Sequence, residues 1–139
     1  MTTPTTTTAS DRFERGLSRL SEIDGEAGHK VIAALADVAP EFGRLLIEFA
    51  FGDVYSRPGL DLREREIATI AALTAMGNAT PQLKVHVEAG LNVGVSPAEI
   101  VETMMQMALY AGFPAALNGL FAAKEVFAAR GVSVVARGG

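Results

Sequence analysis

The chain contains no cysteine, and only two of its 139 residues, His29 and His86, are histidine. The lack of cysteine excludes disulfides, thiolate metal sites, cysteine nucleophiles and redox CxxC chemistry. Two histidines that lie far apart in sequence also argue against a histidine-rich metal site. We therefore expect neither a metal nor thiol chemistry.

Positive charge is also scarce, with 12 Lys and Arg against 16 Asp and Glu and a formal net charge of −4. Because phosphate binding needs clustered cations, nucleic acid and anionic membrane surfaces are poor candidate partners. Residues Met1–Ser10 lack the basic start and apolar stretch of a signal peptide, and we interpret them as a disordered leader. An uncharged run, Thr103–Ala123, is broken by Gly112 and Pro114 and indicates two buried helices rather than a membrane span. A cytoplasmic location is the default prediction.

Apolar residues recur at helical spacing almost throughout, and no segment alternates with period two for long enough to be a strand. The apolar content of 49% and the mean hydropathy of +0.26 are high for a small monomer. Surplus apolar surface of this kind favours a helical oligomer. We predict an all-α, single-domain bundle of about six to seven helices over residues 11–131, with a loose tail at 132–139.

Capping signals indicate where the helices begin and end. Two starts are strong: Asp61 is followed by Glu64, and Ser96 is followed by Pro97 and Glu99, the pattern of a capping box. The predicted helices are Arg12–Glu22, Glu26–Val38, Pro40–Phe51, Asp61–Met76, Thr80–Gly94, Ser96–Tyr110 and Pro114–Ala129. We expect the third to bury Phe42, Leu45, Leu46 and Phe49, and the stretch Gly52–Leu60 to be irregular.

His86 breaks the amphipathic pattern of the fifth helix, because it shares an inward face with Leu83, Val87 and Gly90. One interpretation is a core histidine bonded to a backbone carbonyl. The other is a general acid or base, for which imidazole is suited near neutral pH.

Glu66 similarly shares a face of the fourth helix with Ile70 and Leu73. A carboxylate that faces a core is costly unless it is paired or takes up a proton. Glu66 is therefore either a solvated acid that favours the helix N-terminus or a buried acid able to donate or shuttle a proton.

Two further groups of polar side chains are candidate binding residues. Glu102, Gln106 and Tyr110 form a stripe on the sixth helix, which is either a solvated face or the wall of a cavity or subunit seam. Arg57, Arg63 and Arg65 flank the start of the fourth helix. They are either paired with nearby acids such as Asp61, Glu64 or Glu41, or available to bind a carboxylate with two parallel hydrogen bonds.

The stretch FGDVYSRPGLD (Phe51–Asp61), the pair Arg65-Glu66, His86, Gly94 with Glu99, and Gln106 followed by Tyr110-Ala-Gly-Phe-Pro114 occur in this order and spacing. Together they make residues 25–127 resemble the carboxymuconolactone decarboxylase family. Tyr55 stands where the decarboxylases commonly have tryptophan, and Leu117 interrupts their usual Ala-Ala-Asn. These departures leave the fold as expected and the substrate open.

The resemblance implies an alkylhydroperoxidase-D-like helical fold that assembles as trimers or hexamers, with sites at subunit contacts. It implies a cofactor-free carboxy-lyase of aromatic catabolism. For that reaction we predict His86, Glu66 and Tyr110 as catalytic residues, with His86 protonating carbon and Tyr110 or a protonated Glu66 stabilising the oxyanion. Arg57, Arg65, Glu102 and Gln106 would bind a carboxylate substrate. The branch of the superfamily that uses a CxxC pair is excluded, since the matching stretch here is Ala79-Thr-Pro-Gln82.

Two alternatives stay open at this point. The same acid–base equipment would serve a tailoring lyase, isomerase or cyclase that acts on an enolisable natural-product intermediate. A non-catalytic helical oligomer is the second alternative. The two enzymatic interpretations require His86 beside a pocket with an arginine, and the third requires it to be packed.

Overall fold

A computed structural model of the chain describes the backbone of residues 9–134 and the side chains of residues 11–134. The helices are α1 (Ala9–Asp24), α2 (Glu26–Leu35), α3 (Pro40–Leu45), a π-helix (Leu46–Val54), α4 (Leu62–Met76), α5 (Thr80–Asn92), α6 (Pro97–Ala111) and α7 (Phe113–Arg130). The predicted all-α fold is confirmed, and the described residues contain no strand. Most of the predicted leader and tail, residues 1–8 and 135–139, lies outside this range. None of the helices described is both long enough and apolar enough to cross a membrane.

The chain divides into two compact units, Met1–Gly59 and Leu60–Gly139. In the first unit, α1 packs against the π-helix, and two glycines bring their backbones together. A Cβ atom at Gly16 would overlap the carbonyl oxygen of Ile47, and one at Gly52 would lie 2.5 Å from the carbonyl oxygen of Arg12. Only glycine permits this approach.

A bidentate ion pair joins the same two helices. Nε and Nη2 of Arg12 donate to the two carboxylate oxygens of Asp53 at 3.1 and 2.7 Å. The hydrogen bond from Arg12 lowers the pKa of Asp53 below its ordinary value. The pair is partly exposed, so it orients the two helices more than it stabilises them.

The predicted third helix is wrong in its extent and in the side chains it buries. The α-helix ends at Leu45. A π-helix follows it directly and extends to Val54, which lies in the stretch predicted to be irregular. Phe42, Leu45 and Phe49 are exposed by 61%, 52% and 61% in the chain. The π-helix buries Ile47, Glu48, Phe51 and Gly52 instead, while Leu46 is half-buried. The wider π-helical turn and the contact of Gly16 with Ile47 turn a different face inward from the one that α-helical spacing selects.

In the second unit, α4 packs against α5, α6 and α7. The core that they share is Ile70, Leu83, Val87, Val95, Ile100, Met104, Ala122, Ala123, Val126 and Phe127. Small residues allow α4 to approach two of its neighbours closely. A Cβ atom at Gly90 of α5 would lie 3.1 Å from Cδ1 of Ile70, and one at Gly119 of α7 would lie 2.9 Å from Cγ2 of Thr74.

Both predicted capping boxes are present in this unit. Asp61 accepts a hydrogen bond from the backbone of Glu64 at 2.7 Å, and Ser96 accepts one from the backbone of Glu99 at 3.1 Å. In each box the glutamate bonds back to the backbone N–H of the capping residue. The helix α4 ends at Gly77, whose φ of 75° is left-handed. These local signals fix the length and phase of the helix that carries Glu66.

We expect Gly16→Ala to destabilise the protein by about 2 kcal/mol or more, because the added methyl group forces α1 away from the π-helix. The loss outweighs the gain of up to about 1 kcal/mol that alanine brings inside a helix. The measurement is the free energy of unfolding in urea. Gly59→Ala is the matched control, since nothing lies within 4 Å of a Cβ atom there. Equal unfolding midpoints for the two variants would show that the helices are not in backbone contact.

Candidate active site

The candidate site is formed by the helices α4 and α5, which follow each other across the short turn 77–79 and pack together. Glu66 lies on the inner face of α4 and His86 on the inner face of α5. Their side chains meet, with 2.9 Å between Nδ1 of His86 and Oε2 of Glu66. The partner of Nδ1 is therefore a carboxylate rather than a backbone carbonyl.

The pair is largely removed from solvent. Glu66 has no exposed surface, and the side chain of His86 is 19% exposed. Ile70, Leu83 and Val87, which share faces with the pair, are buried in the apolar core. A hydrogen bond that involves a charged group is strengthened in such surroundings, because little water competes for it. The interpretation of Glu66 as a solvated helix-start acid is wrong.

The second carboxylate oxygen of Glu66, Oε1, is also buried and has no hydrogen-bond partner among the described residues. A buried polar atom without a partner costs about 1–3 kcal/mol. An apolar side chain at this position would avoid that cost. The glutamate therefore fits a chemical task better than a packing task.

The arrangement determines which ring atom can do chemistry. When the carboxylate is ionised it only accepts hydrogen bonds, and Nδ1 of His86 then carries the hydrogen that lies between the two side chains. In that state the ring can exchange a proton with a ligand only through its other nitrogen, Nε2. Glu66 stabilises the imidazolium form whenever Nε2 holds a proton, so the pair can act as an acid and, after giving up that proton, as a base.

The predicted arginines fall in different places. Arg65 is half-buried in the same turn as Glu66, and its carbonyl oxygen accepts a hydrogen bond from Oγ1 of Thr69 at 2.8 Å. Arg63 forms an ion pair with Glu99, an acid that was not among its expected partners, and so connects the first turns of α4 and α6. Arg57 belongs to the first unit and is exposed. The predicted roles of Arg57 and Arg65 in binding a carboxylate stay predictions.

The predicted stripe on α6 lies on an exposed face. Glu102, Gln106 and Tyr110 are all exposed, and Tyr110 has 80% of its surface accessible in the chain. Large apolar side chains, Met105 and Leu109, occupy the same face. The structure therefore brings Glu66 and His86 together and leaves these three residues outside the buried pair, so their roles also stay predictions.

Sequence reasoning singled out Glu66 and His86 separately and missed that they bind each other. A usable signal exists, because both are polar residues on the inner faces of consecutive helices joined by a short turn, and such helices pack side by side. It also missed the ion pair between Arg63 and Glu99, for which helical spacing gives no signal. Among the described residues, no group of three or more His, Asp or Glu is arranged to hold a metal ion.

The structure thus defines an all-helical protein with a buried carboxylate–imidazole pair between two helices of one hairpin. A sequence model of the carboxymuconolactone decarboxylase family matches residues 40–125. The chain belongs to this family.

Three relatives extend the comparison. The 4-carboxymuconolactone decarboxylase of Acinetobacter baylyi is 36% identical over 123 residues, which cover 88% of this chain and 91% of the relative. An uncharacterized protein of Paracoccus denitrificans is 36% identical over 72% of this chain and 75% of its own length. Nitrosuccinic acid decarboxylase of Metarhizium robertsii is 31% identical over 58% of this chain and 56% of its own length. Family membership and the two named decarboxylases identify the chain as a carboxy-lyase.

A double-mutant cycle in the free energy of unfolding tests whether the two side chains are coupled. We expect His86→Leu alone to cost about 3–5 kcal/mol, because it leaves a buried carboxylate without its partner. Replacing both, with Glu66→Met and His86→Leu, should restore stability to within about 1 kcal/mol of the wild-type value, since both polar groups are then gone. Strictly additive losses in urea unfolding would mean that the hydrogen bond is not formed in solution.

Proposed function

We propose that the chain is a cofactor-free decarboxylase of the 4-carboxymuconolactone type. Its substrate is a carboxylated unsaturated lactone or a related enolisable acid. The observation that carries the proposal is the 2.9 Å contact between His86 and the fully buried Glu66. It supplies a proton donor in a water-poor position, which is the main need of this reaction. A cytoplasmic location belongs to the same proposal.

The chemistry requires little else from the protein. Loss of carbon dioxide from the γ-carbon of an unsaturated lactone leaves a dienolate, and the lactone carbonyl takes up the electron pair. The imidazolium of His86 then delivers the proton on Nε2 to carbon. Glu66 positions the ring and stabilises its charge until the proton is transferred.

The names of two relatives support the proposal that the substrate itself accepts the electron pair released with carbon dioxide. One is named for 4-carboxymuconolactone and another for nitrosuccinic acid. In the first compound a lactone carbonyl can take up the electrons released with carbon dioxide, and in the second a nitro group can do so. Both reactions leave an anion with its charge on oxygen, and both end when a proton is added to carbon. A substrate of this chain would share that property.

The remaining site residues have roles of binding and charge stabilisation in the proposal. Arg65, in the same turn as Glu66, would bind a substrate carboxylate through its guanidinium group. Tyr110 would donate a hydrogen bond to the developing oxyanion, with Glu102 and Gln106 contacting the substrate beside it. Such donors act strongly only where water is excluded. Because these three residues are exposed in the chain, their roles require a second copy to cover α6.

We expect His86→Gln to reduce kcat for 4-carboxymuconolactone by about 10²–10⁴-fold, the usual contribution of a general acid. The decay of substrate absorbance measures turnover, and far-UV circular dichroism checks that the helices persist. The matched control is His29→Gln, which changes the chain's other histidine, an exposed residue bonded to Ser21. The control should keep wild-type turnover.

In the same assay, the Glu66→Gln variant distinguishes a role of Glu66 in positioning His86 from a role in binding the substrate. We expect kcat to fall while KM changes little, because the amide keeps the shape of the side chain and loses the charge that stabilises the imidazolium. Full turnover in a folded His86→Ala variant would refute the assigned acid. A change confined to KM in Glu66→Gln would assign that residue to substrate binding instead.

The homo-oligomer, a trimer or hexamer, is also a proposal, and it is supported by apolar surface. Six large side chains on α6 and α7 are exposed by 45–80%: Met105, Leu109, Tyr110, Phe113, Leu117 and Phe121. Monomeric proteins rarely expose so many in neighbouring helical turns. A second copy seated on this α6–α7 face would bury them.

We expect Leu109→Lys to shift the protein toward monomer in sedimentation velocity experiments, because a charge buried at an interface is costly. Gln82→Lys adds the same charge at an exposed polar position and should leave the assembly unchanged. If the interface completes the site, turnover should fall in parallel with assembly. An unchanged sedimentation coefficient in Leu109→Lys would remove α6 from the interface.

A further inference from the structure

The pairing of Glu66 with His86 also bears on γ-lactones that have no γ-carboxyl group. Because Nδ1 faces the carboxylate at 2.9 Å, the ring transfers protons to and from a ligand through Nε2. Once Nε2 has delivered its proton to carbon, the ring is a neutral base beside the carbon atom that it has just protonated. Glu66 stabilises the imidazolium in either direction of transfer.

We infer that the Glu66–His86 pair is also a catalyst of carbon–hydrogen exchange, which removes and returns the α-hydrogen of β,γ-unsaturated γ-lactones that carry no γ-carboxyl group. The inference rests on the proposed function, because it applies the same proton transfer in reverse. Every catalysed proton transfer runs in both directions. The imidazolium that protonates the dienolate carbon therefore becomes an imidazole that can remove the same proton. The activity is distinct, since no carbon–carbon bond breaks.

The step balances within the lactone and the histidine. The α-carbon–hydrogen bond breaks, and the proton forms a bond to Nε2 of His86. The released electron pair is delocalised through the lactone ring to the carbonyl oxygen of the lactone. On return, the bond from Nε2 to hydrogen breaks and a new carbon–hydrogen bond forms at the α-carbon. Return to the γ-carbon instead gives the α,β-unsaturated isomer. No oxidant, reductant or co-reactant takes part.

The burial of the two side chains indicates how a solvent label would enter. The side chain of His86 is 19% exposed, so the hydrogen on its ring can exchange with deuterated water between transfers. Glu66 has no exposed surface and cannot exchange with solvent directly. Deuterium incorporated above the buffer rate is therefore expected to pass through the histidine, and changes to this one ring should control that part of the rate.

The experiment uses the full chain in deuterated buffer with a β,γ-unsaturated γ-lactone that bears an acetate side chain. Loss of the α-hydrogen signal in proton NMR gives the exchange rate, and mass spectrometry counts the deuterium incorporated. We expect exchange well above the buffer rate with the wild-type protein and with His29→Gln. His86→Gln should lose about 10²-fold or more of the protein-dependent rate. Glu66→Gln, which serves if His86→Gln fails to fold, should also slow exchange.

The outcomes separate this inference from the proposed function. Exchange at the buffer rate with the wild-type protein overturns the inference, even if 4-carboxymuconolactone is turned over normally. Exchange that is equally fast in a folded His86→Gln variant overturns it as well. Histidine-dependent exchange without release of carbon dioxide from 4-carboxymuconolactone would uphold the inference, while the proposal that the chain acts on this type of substrate would fail.

Discussion

The hydrogen bond between Glu66 and His86 is the constraint on which the second unit of the structure depends. A carboxylate with no exposed surface is tolerable only with a strong partner, and the imidazole 2.9 Å away is that partner. The distance requires α4 and α5 to lie side by side at a set rotation about their own axes. The packing of the two helices and the pairing of the two side chains therefore require the same geometry.

Features outside the pair hold the two helices at this rotation. The capping box at Asp61 and the left-handed Gly77 fix where α4 begins and ends, and so which of its residues face α5. Gly90 follows His86 by one helical turn, and any larger side chain there would push against Ile70, one turn after Glu66. The ion pair from Arg63 to Glu99 joins the start of α4 to the start of α6. The site is thus positioned by residues that have no part in its chemistry.

Sequence reasoning succeeds here where the signal is local. Capping boxes involve atoms within four residues of each other, so the starts at Asp61 and Ser96 are predictable. It fails where tertiary contact decides. The inward face of the π-helix depends on Gly16 from α1, which no spacing within Pro40–Val54 reveals, and so the phenylalanines at 42 and 49 were assigned to the wrong side. For Glu66 and His86 the inward faces are predictable, whereas the contact itself depends on how two helices pack.

A carboxylate–imidazole pair can transfer protons, and this limits the kinds of substrate on which the site can act. Neither side chain can take up the electron pair that remains when a carbon–carbon bond breaks, and in the proposed function the electron acceptor is therefore part of the substrate. Under that proposal the protein contributes a proton held near carbon in a place with little water, where Glu66 would balance the charge on the ring. Selectivity among acids that carry such an acceptor cannot come from this pair, which has the same task for each of them. It must come from other side chains that contact the substrate, for which we propose Arg65 and the exposed polar residues of α6. In the proposed function, substrate choice is therefore expected to depend on the residues that bind the acid, while the proton itself is transferred by the pair on α4 and α5.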